Sequence, residues 1–326
     1  MSRNGIKIGV LGCANIAERF VIPAINESES FDLIAVASRT STKSEEFSTK
    51  FKAKAINGYE ELLSIDELDA IYIPLPNSMH YQWIKRCLEN KKHVLVEKSM
   101  ACNSIEVEEL NKIALESGLI LLENFQFTKH RQLDVMKALV SEGAIGDLRV
   151  IRSSFGFPPF QDENNIRYQK ELGGGALLDA GAYPIKIAQE FVSGSLNIDS
   201  ASLHIDPKFG VDTWGSAQLK EENSALTVQI AFGFDHAYQC NIELWGSKGT
   251  LKANRIFTSP PGAEAELLLS NCDGLQTIKI ESDNHFKNML DYFAYLITFP
   301  EKSLNEYANN NQQAKLIDQL RIKASE

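Results

Sequence analysis

Gly9-Val10-Leu11-Gly12-Cys13-Ala14-Asn15-Ile16-Ala17 follows an apolar run, Ile6–Leu11, and leads into a helix-like stretch, Ala14–Asn26. Gly12-x-Ala14-x-x-Ala17 is a variant of G-x-G-x-x-G with two glycines replaced by alanine. Small residues at these places let a chain turn tightly out of a strand and approach a pyrophosphate, whose charge meets the free N–H groups of the helix start. The expected cofactor contacts here are Gly12, Ala14, Asn15 and Ile16. Many strand-to-helix turns carry small residues, so the surrounding pattern has to support the reading.

Working outward, short apolar runs recur at Leu33–Ser38, Ala53–Ile56, Ala70–Leu75, His93–Glu97 and Leu119–Phe125. Between them lie amphipathic stretches at Thr42–Phe51, Tyr59–Ser64, Met79–Asn90 and Ser104–Ser117, the last with Asn103 and Ser104 able to cap it. Strand-length runs alternating with helices predict a doubly wound parallel sheet, a Rossmann domain over residues 1–124. A helix at Lys129–Glu142, a long strand at Asp147–Gly156 and a helix near Gly175–Val192 follow. Short strands from Ala201 to Glu281 come next, with turn signals at Lys208–Gly210, Gly246–Gly249 and Asp273–Gly274. Helices near His285–Thr298 and Asn310–Lys323 close the chain. Residues 125–326 are therefore expected to form an α+β substrate-binding and dimerisation domain with an open, mostly antiparallel sheet.

Composition sets outer limits. The 326 residues exceed one ordinary core and suit two domains. A formal net charge of -10 argues against nucleic acid or an anionic membrane as the main partner. The five cysteines form no C-x-x-C pair, so neither a disulfide framework nor a metal site is expected. With no signal-like start and no long apolar run, the expected location is the cytoplasm.

Four further segments carry chemistry. Strand two ends in Ser38-Arg39-Thr40, where an acidic residue would bind a ribose 2′-hydroxyl; an arginine suits a 2′-phosphate instead, which points to NADP(H). Pro76, Asn77 and His80 follow strand four; they are read as cofactor contacts, with a helix cap and a core histidine as the plainer alternatives. Glu97 and Lys98 end strand five, on the edge that faces the ligand crevice of such a sheet, and are expected cofactor contacts. In Gly173-Gly174-Gly175-Ala176-Leu177-Leu178-Asp179-Ala180-Gly181-Ala182-Tyr183, three glycines are expected to let backbone approach a ligand. Asp179 and Tyr183 would share a helix face, suiting proton transfer to a sugar oxygen.

These segments together, at these spacings, resemble the Gfo/Idh/MocA family of nicotinamide-dependent oxidoreductases over essentially the whole chain. The resemblance implies a Rossmann domain followed by an open-sheet domain, one sheet face lining the active site and the other often making a dimer, so that a homo-oligomer, dimer or tetramer, is expected. Lys98 matches the lysine of the family's Glu-Lys-Pro motif, and Asp179 the aspartate of its glycine-rich motif. Tyr183 stands where many members carry a catalytic histidine. Leu122–Phe127 and Phe157–Tyr168 look like segments of NADPH-dependent sugar-nucleotide 3-ketoreductases. The implied catalytic residues are Lys98, Tyr183 and Asp179, with Asn124 and Arg167 near nicotinamide or substrate. Ser99 departs from the family's proline, which often follows a cis peptide bond; that bond costs more before serine, so Lys98 is expected to be held differently. The implied reaction is hydride transfer from NADPH to a keto-sugar, at C3 of a nucleotide-linked deoxysugar. The rivals are an NADP-dependent dehydrogenase of free aldoses or trans-dihydrodiols, and a non-catalytic NADP(H)-binding sensor.

Overall fold

A computed structural model describes residues 5–326. The chain divides into two compact units, one of residues 1–124 and 286–311, the other of residues 125–285 and 312–326.

In the first unit six parallel strands lie in the order β3-β2-β1-β4-β5-β6. They are β1 (Ile6–Leu11), β2 (Phe31–Ser38), β3 (Lys54–Asn57), β4 (Ala70–Ile73), β5 (His93–Val96) and β6 (Leu121–Glu123). β4 is buried at every position, as a parallel strand covered on both faces must be. The connecting helices are α1 (Ile22–Glu27), α2 (Ser41–Phe51), α3 (Tyr59–Leu63), α4 (Asn77–Glu89) and α5 (Ser104–Ser117). A π-helical turn, Ala17–Val21, leads into α1. Asn103 caps α5 as expected, its Oδ1 accepting from the Glu106 amide at 3.0 Å.

The second unit is built on an eight-stranded sheet in the order β14-β13-β12-β11-β7-β10-β9-β8. Its strands are β7 (Leu148–Gly156), β8 (Leu196–Ile205), β9 (Asp212–Glu221), β10 (Thr227–Gly233), β11 (Gln239–Gly246), β12 (Gly249–Asn254), β13 (Ala265–Asn271) and β14 (Gly274–Ile280). Only the β7–β10 pair is parallel. β9 and β10 alternate buried and exposed residues, the pattern of a sheet covered on one face. Helices α6 (Arg131–Ser141) and α7 (Ala182–Gln189) belong to this unit.

The tail departs from the expected division. Helix α8 (His285–Thr298) belongs with the first unit from Phe286 onward, because Phe286 stacks on Phe20 and Phe293 on Phe31. Helix α9 (Leu304–Lys323) starts six residues before the expected Asn310. Its stretch Asn305–Gln313 reads as polar on every side, yet Asn310 and Gln313 are buried. Gln313 Nε2 donates to the Ala182 carbonyl at 2.8 Å, and the Tyr307 hydroxyl to that of Leu119 at 2.7 Å. Buried amides that are hydrogen-bonded leave no apolar stripe to read.

Candidate active site

Apart from His80, the residues of the first unit expected to meet the cofactor stand at or just beyond the C-terminal ends of its strands, where open parallel sheets bind ligands. Gly12 leaves β1 with φ +125°, a conformation that favours glycine. The helices after β1, β2 and β4 start without a side-chain cap at Ile16, Thr40 or Pro76. Ala14 and Ile16 are half-buried beside exposed Asn15. At the end of β2, Ser38 is buried and its Oγ accepts from the Thr40 amide at 3.4 Å. Arg39 is exposed and bonds to the Tyr59 side chain, whose hydroxyl burial pushes above its ordinary pKa against the pull of that cation. Lys43, on the first turn of α2, acts on Cys13, whose thiol burial raises to about 11. Sequence reading passed over Lys43 because nothing local ties it to Cys13, thirty positions earlier.

The ends of β4, β5 and β6 are tied through Glu97. Its carboxylate accepts from the Tyr72 hydroxyl and from Asn124 Nδ2, each at 2.7 Å. Burial pushes the Glu97 pKa up, and these two donors and Lys98 pull it back. With Nδ2 so engaged, Asn124 Oδ1 is buried without a partner among the described residues. An orphaned acceptor at a strand end fits the amide donor of a nicotinamide carboxamide. Together with Gly12 and a β2 end that carries Arg39 where a carboxylate would repel a 2′-phosphate, it makes the residues present fit a phosphorylated nicotinamide dinucleotide.

Two expectations need correcting here. His80 is not a cofactor contact: it is fully buried, and both ring nitrogens lie 2.7 Å from backbone carbonyls, Nδ1 from Ser99 and Nε2 from Leu75. Half-buried Pro76 and Asn77 open α4 just beyond the C-terminal end of β4. The Lys98–Ser99 peptide is cis although residue 99 is serine, so the different geometry expected for Lys98 is not found.

In the second unit, Arg167, Asp179 and Tyr183 form one group. Arg167 Nε donates to Asp179 Oδ2 at 2.5 Å, and the guanidinium lies 4.7 Å from the centre of the Phe160 ring. The charge of Asp179 raises the Arg167 pKa against burial, and Tyr183 lies within its electrostatic reach. Asp179 sits on a π-helical turn, Leu177–Gly181, that runs into α7, which carries Tyr183. The Tyr183 ring is boxed by Phe125, Phe127, Phe155 and Phe257 at 4.9–5.8 Å between centroids. Edge-to-face contacts with Phe125 and Phe155 and tilted ones with Phe127 and Phe257 hold the ring.

Two of the three glycines before this turn, Gly174 and Gly175, are packed against the chain's own groups, not kept clear for a ligand. A Cβ on Gly174 would stand 2.6 Å from the Arg167 carbonyl, and one on Gly175 would stand 2.3 Å from Asp212 Oδ1. Asp212, at the start of β9, accepts from the Leu177 amide at 2.5 Å and so caps the turn. Burial pushes the Asp212 pKa up while the Leu177 and Ala176 amides hold it down. Sequence reading missed Asp212 because its partner lies 35 positions away, beyond any local pattern.

A Rossmann edge of this kind, with a caged phenol beside an ion pair on an open-sheet unit, defines a nicotinamide-dependent oxidoreductase. Comparison with known proteins narrows that class. A family model described as the Gfo/Idh/MocA oxidoreductase family, NAD-binding Rossmann fold, matches residues 6–125, and the Gfo/Idh/MocA C-terminal domain matches residues 134–252. The chain belongs to the Gfo/Idh/MocA family. It is 38% identical over 292 residues to a dTDP-3,4-didehydro-2,6-dideoxy-alpha-D-glucose 3-reductase of Saccharopolyspora spinosa, covering 90% of this chain and 87% of that one. A 3-ketoreductase of Actinomadura kijaniata, crystallised with NADP and TDP-benzene, matches with a TM-score of 0.95 and 36% identity over 98% of both chains. A tyrosine-to-phenylalanine variant of that enzyme, crystallised with the same ligands, also scores 0.95.

Proposed function

We propose that this enzyme reduces the C3 ketone of a dTDP-linked keto-deoxysugar with NADPH. The observation that carries the reading is the 38% identity to a dTDP-sugar 3-reductase over 90% of the chain. In the Arg167–Asp179–Tyr183 group, Tyr183 supplies the acid for it. NADPH, when bound, supplies the hydride. Reduction of a ketone leaves its oxygen needing a proton, and the Tyr183 hydroxyl holds that proton. The aromatic box around Tyr183 fixes the donor's direction, which is most of what a positioned acid contributes. Lys98 provides the positive charge that steadies the oxygen as negative charge grows on it. Asp179, oriented by Arg167, accepts from sugar hydroxyls. On the cofactor side, Gly12 through Ile16 border the pyrophosphate, Asn124 Oδ1 receives the carboxamide, and Arg39 with Lys43 meets the 2′-phosphate. Among the described residues no helix is long and apolar enough to cross a membrane. A cytoplasmic homodimer completes the reading; Trp214 and Trp245, exposed on the second sheet, suit a partner surface.

The test is NADPH oxidation against a panel of nucleotide-linked 3-keto-sugars, free aldoses and dihydrodiols. Turnover confined to the nucleotide-linked ketones is expected; preference for a free aldose or a diol would replace this reading with a dehydrogenase. Tyr183→Phe and Lys98→Ala should each lower kcat about a hundred- to ten-thousandfold while NADPH still binds. Full activity in either variant removes the role given to that residue.

A further inference from the structure

His80 lies on α4 and reaches two loops at once. Its Nε2 is 2.7 Å from the carbonyl of Leu75, on the loop after β4, and its Nδ1 is 2.7 Å from the carbonyl of Ser99, on the loop after β5. These two contacts do different jobs. Leu75 is five positions from His80, and the start of α4 is already closed by the Met79 amide donating to the Pro76 carbonyl at 2.9 Å. Ser99 is nineteen positions away, so its bond crosses from one strand end to another. Ser99 directly follows Lys98, and its carbonyl belongs to the stretch that fixes where the Lys98 backbone points.

We propose that His80 is a positioning residue for Lys98, acting through a hydrogen bond from its Nδ1–H to the Ser99 carbonyl. A carbonyl only accepts, so the bond requires the ring proton on Nδ1. Because the acceptor is backbone, the tie is indifferent to whether serine or another residue stands at position 99. Burial lowers the imidazole pKa to about 4, against the upward pull of both carbonyls. The ring at neutral pH therefore has one proton to place, and the proposal assigns it to the nitrogen that faces Ser99. The functional consequence rests on the role given above to Lys98; the proton assignment does not.

Two substitutions separate the two bonds. The amide nitrogen of asparagine replaces Nδ1 and that of glutamine replaces Nε2, so His80→Asn keeps the donor to Ser99 and His80→Gln keeps the donor to Leu75. His80→Gln should lower kcat about ten- to a hundredfold, as a misplaced catalytic group does, with the fluorescence-measured Kd for NADPH little changed. His80→Asn should restore kcat toward the native value. Equal losses in the two variants, no loss in either, or the reverse order would overturn the proposal, since a filler of the core would not distinguish the two nitrogens. Nitrogen-15 NMR of the unmodified, cofactor-free protein supplies a readout independent of folding in the variants and of turnover. A proton on Nδ1 is expected, and a bare Nδ1 overturns the assignment. If Nδ1 carries the proton and Lys98→Ala is fully active, the bond stands and the proposed function fails.

Discussion

Gly12 ends β1 ahead of one helix, and Gly173 to Gly175 precede the turn that leads into another. In sequence both are small-residue turns of the kind that brings backbone close to something. In the structure they differ in what comes close. A Cβ on Gly12 would meet the flexible end of Leu75 at 2.8 Å, and the helix that follows has no side-chain cap. At Gly174 and Gly175 the neighbours are the Arg167 carbonyl and the carboxylate of Asp212, and that carboxylate already takes the Leu177 amide. The first turn opens a helix with no side-chain cap, as the proposed binding of a ligand's anion requires; the second gives its Leu177 amide to an anion of the protein's own. Glycine thus marks close approach without saying whether the approaching group is ligand or protein.

The sharpest way to break this contrast is Gly175→Ala. The position has φ +111°, and the new methyl would collide with Asp212. Strain and overpacking together should cost about 3–5 kcal/mol in urea unfolding, with NADPH affinity unchanged. A stable variant that instead loses ligand binding would show that this turn faces a ligand after all.

Next comes acid. His80, His130 and His285 are buried, and burial lowers their pKa values from 6.5, to about 4 for His80 and about 3 for His285. Each takes up a proton more readily when unfolded. Stability is therefore full above about pH 6.5 and falls as the pH drops toward the folded values. His80 alone accounts for about 3 kcal/mol across the window from pH 6.5 to 4. Asp212 works with the opposite sign, since a raised carboxyl pKa makes the folded state the better proton acceptor above about pH 4. Urea titrations at pH 7 and pH 4.5 should show a clear loss in the acid, reduced in His80→Asn. A loss in His80→Asn as large as in the native protein would mean that His80 is not buried neutral.

A smaller effect belongs to Gly12→Ala. Leu75 can swing aside, so the folding cost should be the backbone strain alone, about 1–3 kcal/mol, accompanied by weaker NADPH binding. Equal losses from Gly12→Ala and Gly175→Ala, with no change in cofactor affinity, would erase the distinction between the turns. The smallest change is expected from Arg39→Ala, where loss of a charged hydrogen bond should lower the NADPH-to-NADH affinity ratio about ten- to a hundredfold. An unchanged ratio would place recognition of the phosphate elsewhere.

Much of this was legible in the order of residues. Period and run length gave β1 and α5 to the residue and placed every strand of the parallel sheet, because a buried parallel strand is a short apolar run whatever its surroundings. The absence of a carboxylate after β2, and the presence of Lys98, Asp179 and Tyr183 at their spacings, needed no coordinates. What stayed hidden were contacts across long separations: Asp212 with Leu177, His80 with Ser99, Glu97 with Tyr72 and Asn124. Helix α9 stayed partly hidden for a related reason, since its buried amides look like surface until their partners are known. Local sequence determines which way a segment turns and which face is apolar, since those follow from backbone sterics and transfer from water. Which nitrogen, carbonyl or carboxylate a buried polar group meets was decided by the tertiary structure alone, because a hydrogen bond depends on where two atoms end up and not on how far apart they lie along the chain.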